Sequence, residues 1–157
     1  MKKLIISSLL CLMSMTLTAQ KISYNHIKKE SQEIEMHLHT YIKDAHRSDT
    51  LILDNKQKVV CDLELYFDNN SEELRKSSIE FYQDDSSVLE EMFFKGDRLI
   101  YVHINDFKKH KIVEIYYKDY TKMIVYINGV ETKLNESEQK ELCDQITRHI
   151  EFLIVLL

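Results

Sequence analysis

The sequence predicts an α+β fold: a single antiparallel β-meander of six to seven strands, packed on one face by a long N-terminal helix and a C-terminal helix. Three observations carry this expectation. Apolar residues from about Ile22 to Ala45 recur at three- and four-residue steps. From about Thr50 to Leu134 the period falls to two, and turn residues interrupt it every few positions. After Asn135 the helical period returns and runs to Leu157. At 157 residues, with 44% hydrophobic and 30% charged side chains, the chain can build a core, and disorder is not expected. One α+β domain, residues 20–157, is expected behind a leader, residues 1–19.

The leader has the three parts of a secretory signal peptide. Lys2 and Lys3 are its positive start, Leu4 to Met15 its apolar run, and Thr16 to Ala19 its small, polar exit. Cleavage after Ala19 would leave Gln20 first and place the protein in the periplasm or outside the cell. The apolar run is shorter than the ~20 residues that cross a bilayer, so no transmembrane span is expected in the mature chain. Cys11 offers lipid attachment as an alternative, although Leu10 stands where a lipobox needs a small residue. Loss of Lys2 and Lys3 takes the formal charge from −5 to −7. That balance argues against nucleic acid, whose phosphates need a basic surface, and against anionic lipid headgroups.

The first helix follows from Ile27, Ile34, Leu38, Tyr41, Ile42 and Ala45, with Lys28, Lys29, Glu30, Glu33, Glu35 and Lys43 largely on the other side. In the next segment Val59, Cys61, Leu63, Leu65 and Phe67 alternate with Val60, Asp62, Glu64 and Tyr66, as in a half-buried strand. Further strands are expected at Ser77–Gln83, with Ile79 and Phe81 inward, and at Val88–Lys95, Arg98–Asn105, Lys111–Lys118, Lys122–Ile127 and Val130–Leu134. Gly96–Asp97 is a tight turn. Asn128–Gly129 is the strongest hairpin signal, because both residues tolerate positive φ. Asn135 and Glu138 have the spacing of a capping box ahead of the stripe Leu142, Ile146, Ile150, Leu153 and Leu157. Both helices are expected on the same face of the sheet. The apolar tail Phe152–Leu157 is expected to be buried, with docking to a partner or a membrane surface as the alternative.

No catalytic motif stands out. Gly96 and Gly129 are the only glycines, so phosphate-cradling loops and nucleophile elbows are excluded, and no cofactor is implied. His37 and His39 are two apart on the expected helix, not one turn apart as zinc-binding helices require, and no metal is expected. His103, His110 and His149 are scattered. Ser77, Ser78, Ser86 and Ser87 have no histidine beside them in sequence, and Asp68–Glu73 lacks the glycine of a calcium loop. The adjacent pairs Asp84–Asp85 and Glu90–Glu91 should point to opposite faces and read as solvated turns. Cys61 and Cys143 form an even pair in an oxidising compartment. Periodicity puts both toward the core, which fits either a disulfide or two buried thiols.

One pattern points to binding. By strand parity Tyr66, Tyr82, Tyr101, Tyr116 and Tyr126 share the face opposite the core, with Asp62, Glu64, Glu80, His103 and Glu114 between them. They either stiffen the sheet as cross-strand pairs or form a binding surface. The acidic–aromatic phrases LELYFDNN, SSIEFYQDD, MFFKGDRLIYVHI and VEIYYKDYTKMIVYING resemble the small exported helix-plus-meander proteins of unknown function from Gram-negative bacteria. That likeness implies a periplasmic or secreted location and no activity. MORN-like repeats share the rhythm but are rich in glycine. Cystatin-like and nuclear-transport-factor-like folds also wrap a curved sheet on a helix, an analogy of fold alone. The expectation is an exported, non-enzymatic binding module of the cell envelope, whose partner is a protein, peptide or glycan. The alternative is a small-ligand carrier or small hydrolase-like enzyme with a pocket between helices and sheet. A deep pocket lined by converging polar groups favours the second; a flat tyrosine face favours the first.

Overall fold

The structure, a computed structural model, describes residues 24–52, 58–83, 86–118 and 122–156. The expected signal peptide, the alternative lipid site at Cys11, the pair Asp84–Asp85 and the terminal Leu157 lie outside the described residues. Helix α1 spans Tyr24–Met36 and a 3-10 turn follows at Leu38–Thr40. Eight strands come next: β1 Ile42–Ile52, β2 Lys58–Phe67, β3 Leu74–Gln83, β4 Ser86–Lys95, β5 Arg98–Asp106, β6 Lys111–Tyr117, β7 Met123–Ile127 and β8 Val130–Glu131. Helix α2, Glu136–Leu156, ends the chain's described part. The strands pair antiparallel in sequence order, so the fold is the expected α+β meander, with eight strands in place of six or seven.

The extra strand comes from the first helix, which stops nine residues short of the expected end at Ala45. The His37 amide is shared between the carbonyls of Glu33 and Ile34, its Nδ1–H donates to the Glu33 carbonyl at 2.7 Å, and Thr40 Oγ1 donates to the His37 carbonyl. These local bonds satisfy the last turn without a glycine. Ile42 and Ala45 extend the helical stripe in sequence, yet both are exposed on β1. The pairing from Ile42↔Phe67 to Ile52↔Lys58 gives this segment a backbone partner that a longer helix would have denied to β2.

The two helices lie on opposite faces of the sheet, which corrects the expectation that they share one. On the lower face Leu63, Leu65, Ile79, Met92, Val102 and Ile115 are fully buried and meet Leu142, Ile146 and Leu153 of α2. On the upper face Phe93, Ile100 and Tyr116 meet Ile27 and Ile34 of α1. A bulge helps to build the upper core: Phe93 pairs with Tyr101 while Phe94 pairs with Leu99, so Ile100 is the extra residue and turns toward α1. Burying each large aliphatic residue such as Ile27 contributes about 1.5–3 kcal/mol, so both layers contribute to holding the sheet.

The short-range signals hold. Asn128 (φ 50°) and Gly129 (φ 79°) both take positive φ, as a type I′ hairpin requires. The capping box is reciprocal: the Glu138 amide donates to Asn135 Oδ1 at 3.0 Å and the Asn135 amide to Glu138 Oε2 at 2.9 Å. In the apolar tail Leu153 is buried and Phe152 is partly buried against the lower core.

Candidate functional site

Helix α1 runs across the strands. Tyr24, at its start, packs on Tyr116 of β6 and Tyr126 of β7, with ring centroids 4.6 and 5.4 Å away. Glu30 pairs with Lys95 of β4, and Glu35, near its end, pairs with Lys76 of β3 at 2.8 Å. The helix therefore lies along one cross-strand row, Lys76↔Phe93↔Tyr101↔Tyr116. The neighbouring row, Ser78↔Glu91↔His103↔Glu114↔Tyr126, runs along its flank. On that flank α1 presents Lys28, Gln32 and Glu35, three- and four-residue steps that share one side of a helix. Between the two is a cavity of about 450 Å³, floored by Glu91, His103 and Glu114 and rimmed by Ile112, Asn128 and Gly129.

The floor is a connected polar network. Lys76, its side chain 4 % exposed, places Nζ 2.7 Å from Glu91 Oε1 and 5.0 Å from the Phe93 ring centroid. His103 Nδ1 lies 2.9 Å from Glu91 Oε2. A carboxylate only accepts, so this nitrogen carries a proton. Burial pushes the Glu91 carboxyl up, but hydrogen bonds from His103 and Lys76 outweigh it and hold the group below the usual carboxylate range. Tyr101 and Tyr116 both donate to Glu114 Oε1, at 3.1 and 2.9 Å. Burial and then the Glu114 charge push the Tyr101 phenol up; burial, Tyr101 and Glu114 do the same for Tyr116. Both phenols therefore remain protonated donors at neutral pH. Among the described residues no three histidine, cysteine or carboxylate side chains converge to hold a metal ion.

The five tyrosines do share a face, as parity requires, but they are not one wet surface. Tyr101, Tyr116 and Tyr126 pack with Tyr24 beneath α1, and Tyr116 is 2 % exposed. Tyr66 is half-buried, donates to Glu64 at 2.7 Å and has Lys43 and Lys76 near its ring. Tyr82 is the exposed member and bonds Asp62 and Glu80. The parity argument misses the cover because period two says that the faces differ, not which helix lies on which.

No disulfide joins Cys61 and Cys143. Cys61 is buried in the lower core, and Cys143 is exposed on α2 rather than turned inward.

A second cluster went unseen in the sequence. Ser77 Oγ lies 3.2 Å from His149 Nε2, and His149 Nδ1 lies 3.3 Å from Glu90 Oε2, whose other oxygen accepts from Gln145. Hydroxyl, imidazole and carboxylate follow the order of a hydrolytic triad. Ser77, His149 and Glu90 are all buried in the lower core beneath α2, so the hydroxyl meets no solvent and the cluster ties α2 to the sheet. Ser77 thus does have a histidine beside it, and Glu90 is no solvated turn. The missed signal was parity: Ser77 shares the inward face with Ile79, and His149 falls on the apolar stripe of α2. Glu90 and Glu91 do point to opposite faces, one to each cluster. No helix among the described residues is long and apolar enough to cross a membrane. No protein-family model, curated protein or solved structure matches this chain, so the pocket beneath α1 stands as its candidate site on geometry alone.

Proposed function

We propose that this chain is a small-ligand-binding module whose site is the pocket between α1 and the upper face of the sheet, and that it acts outside the cytoplasm. The carrying observation is the cavity of about 450 Å³ lined by Glu91, His103 and Glu114, within the size range of ligand sites. Tyr101 and Tyr116 are packed against α1 and line the pocket, so they support this reading better than a flat docking surface. Export rests on the pattern from Lys2 to Ala19. A hydrolytic role finds little support, because the serine with a histidine partner is sealed beneath α2, while Ser31, at the pocket, spends its hydroxyl on the Lys28 carbonyl.

A fragment screen followed by NMR tests this reading. Binding fragments should shift the resonances of Gln32, His103 and Glu114 together, and Gln32→Trp, which fills the cavity, should abolish the shifts. Fragments that gather instead at Val60 and Tyr82, the exposed end of the same face, would overturn it.

A further inference from the structure

We infer that the pocket selects a compact organic cation, an alkylammonium or guanidinium group, seated on the Glu114 carboxylate. This rests on the pocket being the binding site. Of its carboxylates, Glu35 is held by Lys76 and Glu91 by Lys76 and His103. Glu114 differs. Its donors are two neutral phenols, Tyr101 and Tyr116, both on Oε1. Each phenol has one proton and spends it there, so neither offers the pocket a donor. An anion arriving at Glu114 would meet a negative charge and no free phenol donor. A cation would meet a carboxylate beside an aromatic ring, the pairing that favours it on both counts.

The same face already holds such a cation. Lys76 Nζ sits between Glu35 and Glu91 and 5.0 Å from the Phe93 ring centroid. Along the row Phe93 pairs with Tyr101, and in the next row Glu91 and Glu114 flank His103. Glu114 with Tyr101 and Tyr116 repeats the carboxylate–aromatic arrangement two strands on, at the open pocket, without the lysine. Lys28 is the lysine that lines the cavity, from the exposed flank of α1. It is the internal competitor for the site, so removing it should leave cation binding intact or tighten it.

The test compares n-butylamine, propylguanidine, n-butanol and butanoate on the intact protein, read by NMR shifts at Tyr101, His103 and Glu114. The amine and the guanidine should bind at the pocket, and the alcohol and carboxylate at least about tenfold more weakly, as expected for loss of a charge-assisted bond. Glu114→Gln keeps a carbonyl for both phenols and should weaken the amine by a similar factor, while Lys28→Met should not weaken it. Alcohol or carboxylate binding as tightly as the amine would overturn cation selectivity and leave the pocket reading standing. If none of the four shifts the pocket, the inference falls, and the wider fragment screen alone then decides whether the pocket binds anything.

Discussion

Replacing His149 with alanine should unfasten α2 from the sheet. His149 is 1 % exposed and bridges Ser77 Oγ and the Glu90 carboxylate. The variant leaves Glu90 with Gln145 as its donor, strands the Ser77 hydroxyl in an apolar core, and opens a void where the ring was. Truncating a fully buried ring costs about 3–5 kcal/mol, and an orphaned hydroxyl alone about 1–3 kcal/mol, overlapping penalties that do not simply add. We therefore expect a loss of about 3–5 kcal/mol, a large share of the ~5–15 kcal/mol that domains typically have. At ~2–4 °C per kcal/mol the melting temperature should fall by about 10 °C. The double variant Glu90→Leu, His149→Leu removes both partners, fills the space, and should lose less than His149→Ala does. Urea and thermal denaturation followed by circular dichroism measure both, and hydrogen exchange should show the α2 amides losing protection first. A His149→Ala protein within about 1 kcal/mol of the parent would refute the reasoning, as would a double variant worse than the single.

Three further expectations follow from the same geometry. The phenols of Tyr66, Tyr101, Tyr116 and Tyr117 are pushed up, first by burial, and Tyr82 is pushed up to about 12. Raised values stabilise the fold below the unfolded phenol value of about 10 and lose that contribution as pH rises, so tyrosinate absorbance should appear together with alkaline unfolding; reversible titration near pH 10 with the circular dichroism unchanged would contradict it. Glu91 is held low, so its contribution is present above the unfolded carboxyl value of about 4.3 and fades as pH falls, and Glu91→Gln should flatten the acid limb of the stability curve; an unaltered limb would count against the network. In protein purified without reductant, Cys143 should react at once with a thiol reagent and Cys61 only on unfolding, whereas a chain with no reactive thiols would restore the disulfide.

What the sequence could and could not say divides by range. Turn and cap chemistry acts over a few residues, so Asn128–Gly129 and the Asn135–Glu138 box were legible at full detail. Parity acts along a strand, so all five tyrosines were placed on one face, and the same rule, applied to Ser77 and Glu90, would have turned them inward. The end of α1 was not legible, because Ile42 and Ala45 fit a helical stripe and the partner that decides, β2, lies beyond the next turn. The cover on each face was not legible either, since periodicity carries no information about which helix reaches which side. Yet helix length against sheet width explains the pocket. Thirteen residues of α1 extend ~20 Å, about four strand spacings, on a sheet of eight strands. Lying across the strands, one helix of ~10 Å diameter covers the row from Lys76 to Tyr116 and leaves its neighbour at the flank. That neighbouring row carries Glu91, His103 and Glu114, polar groups that cost little at a wet helix edge and much beneath a helix. The polar residues between the tyrosines thus mark where the cover ends, and the cavity forms along that line.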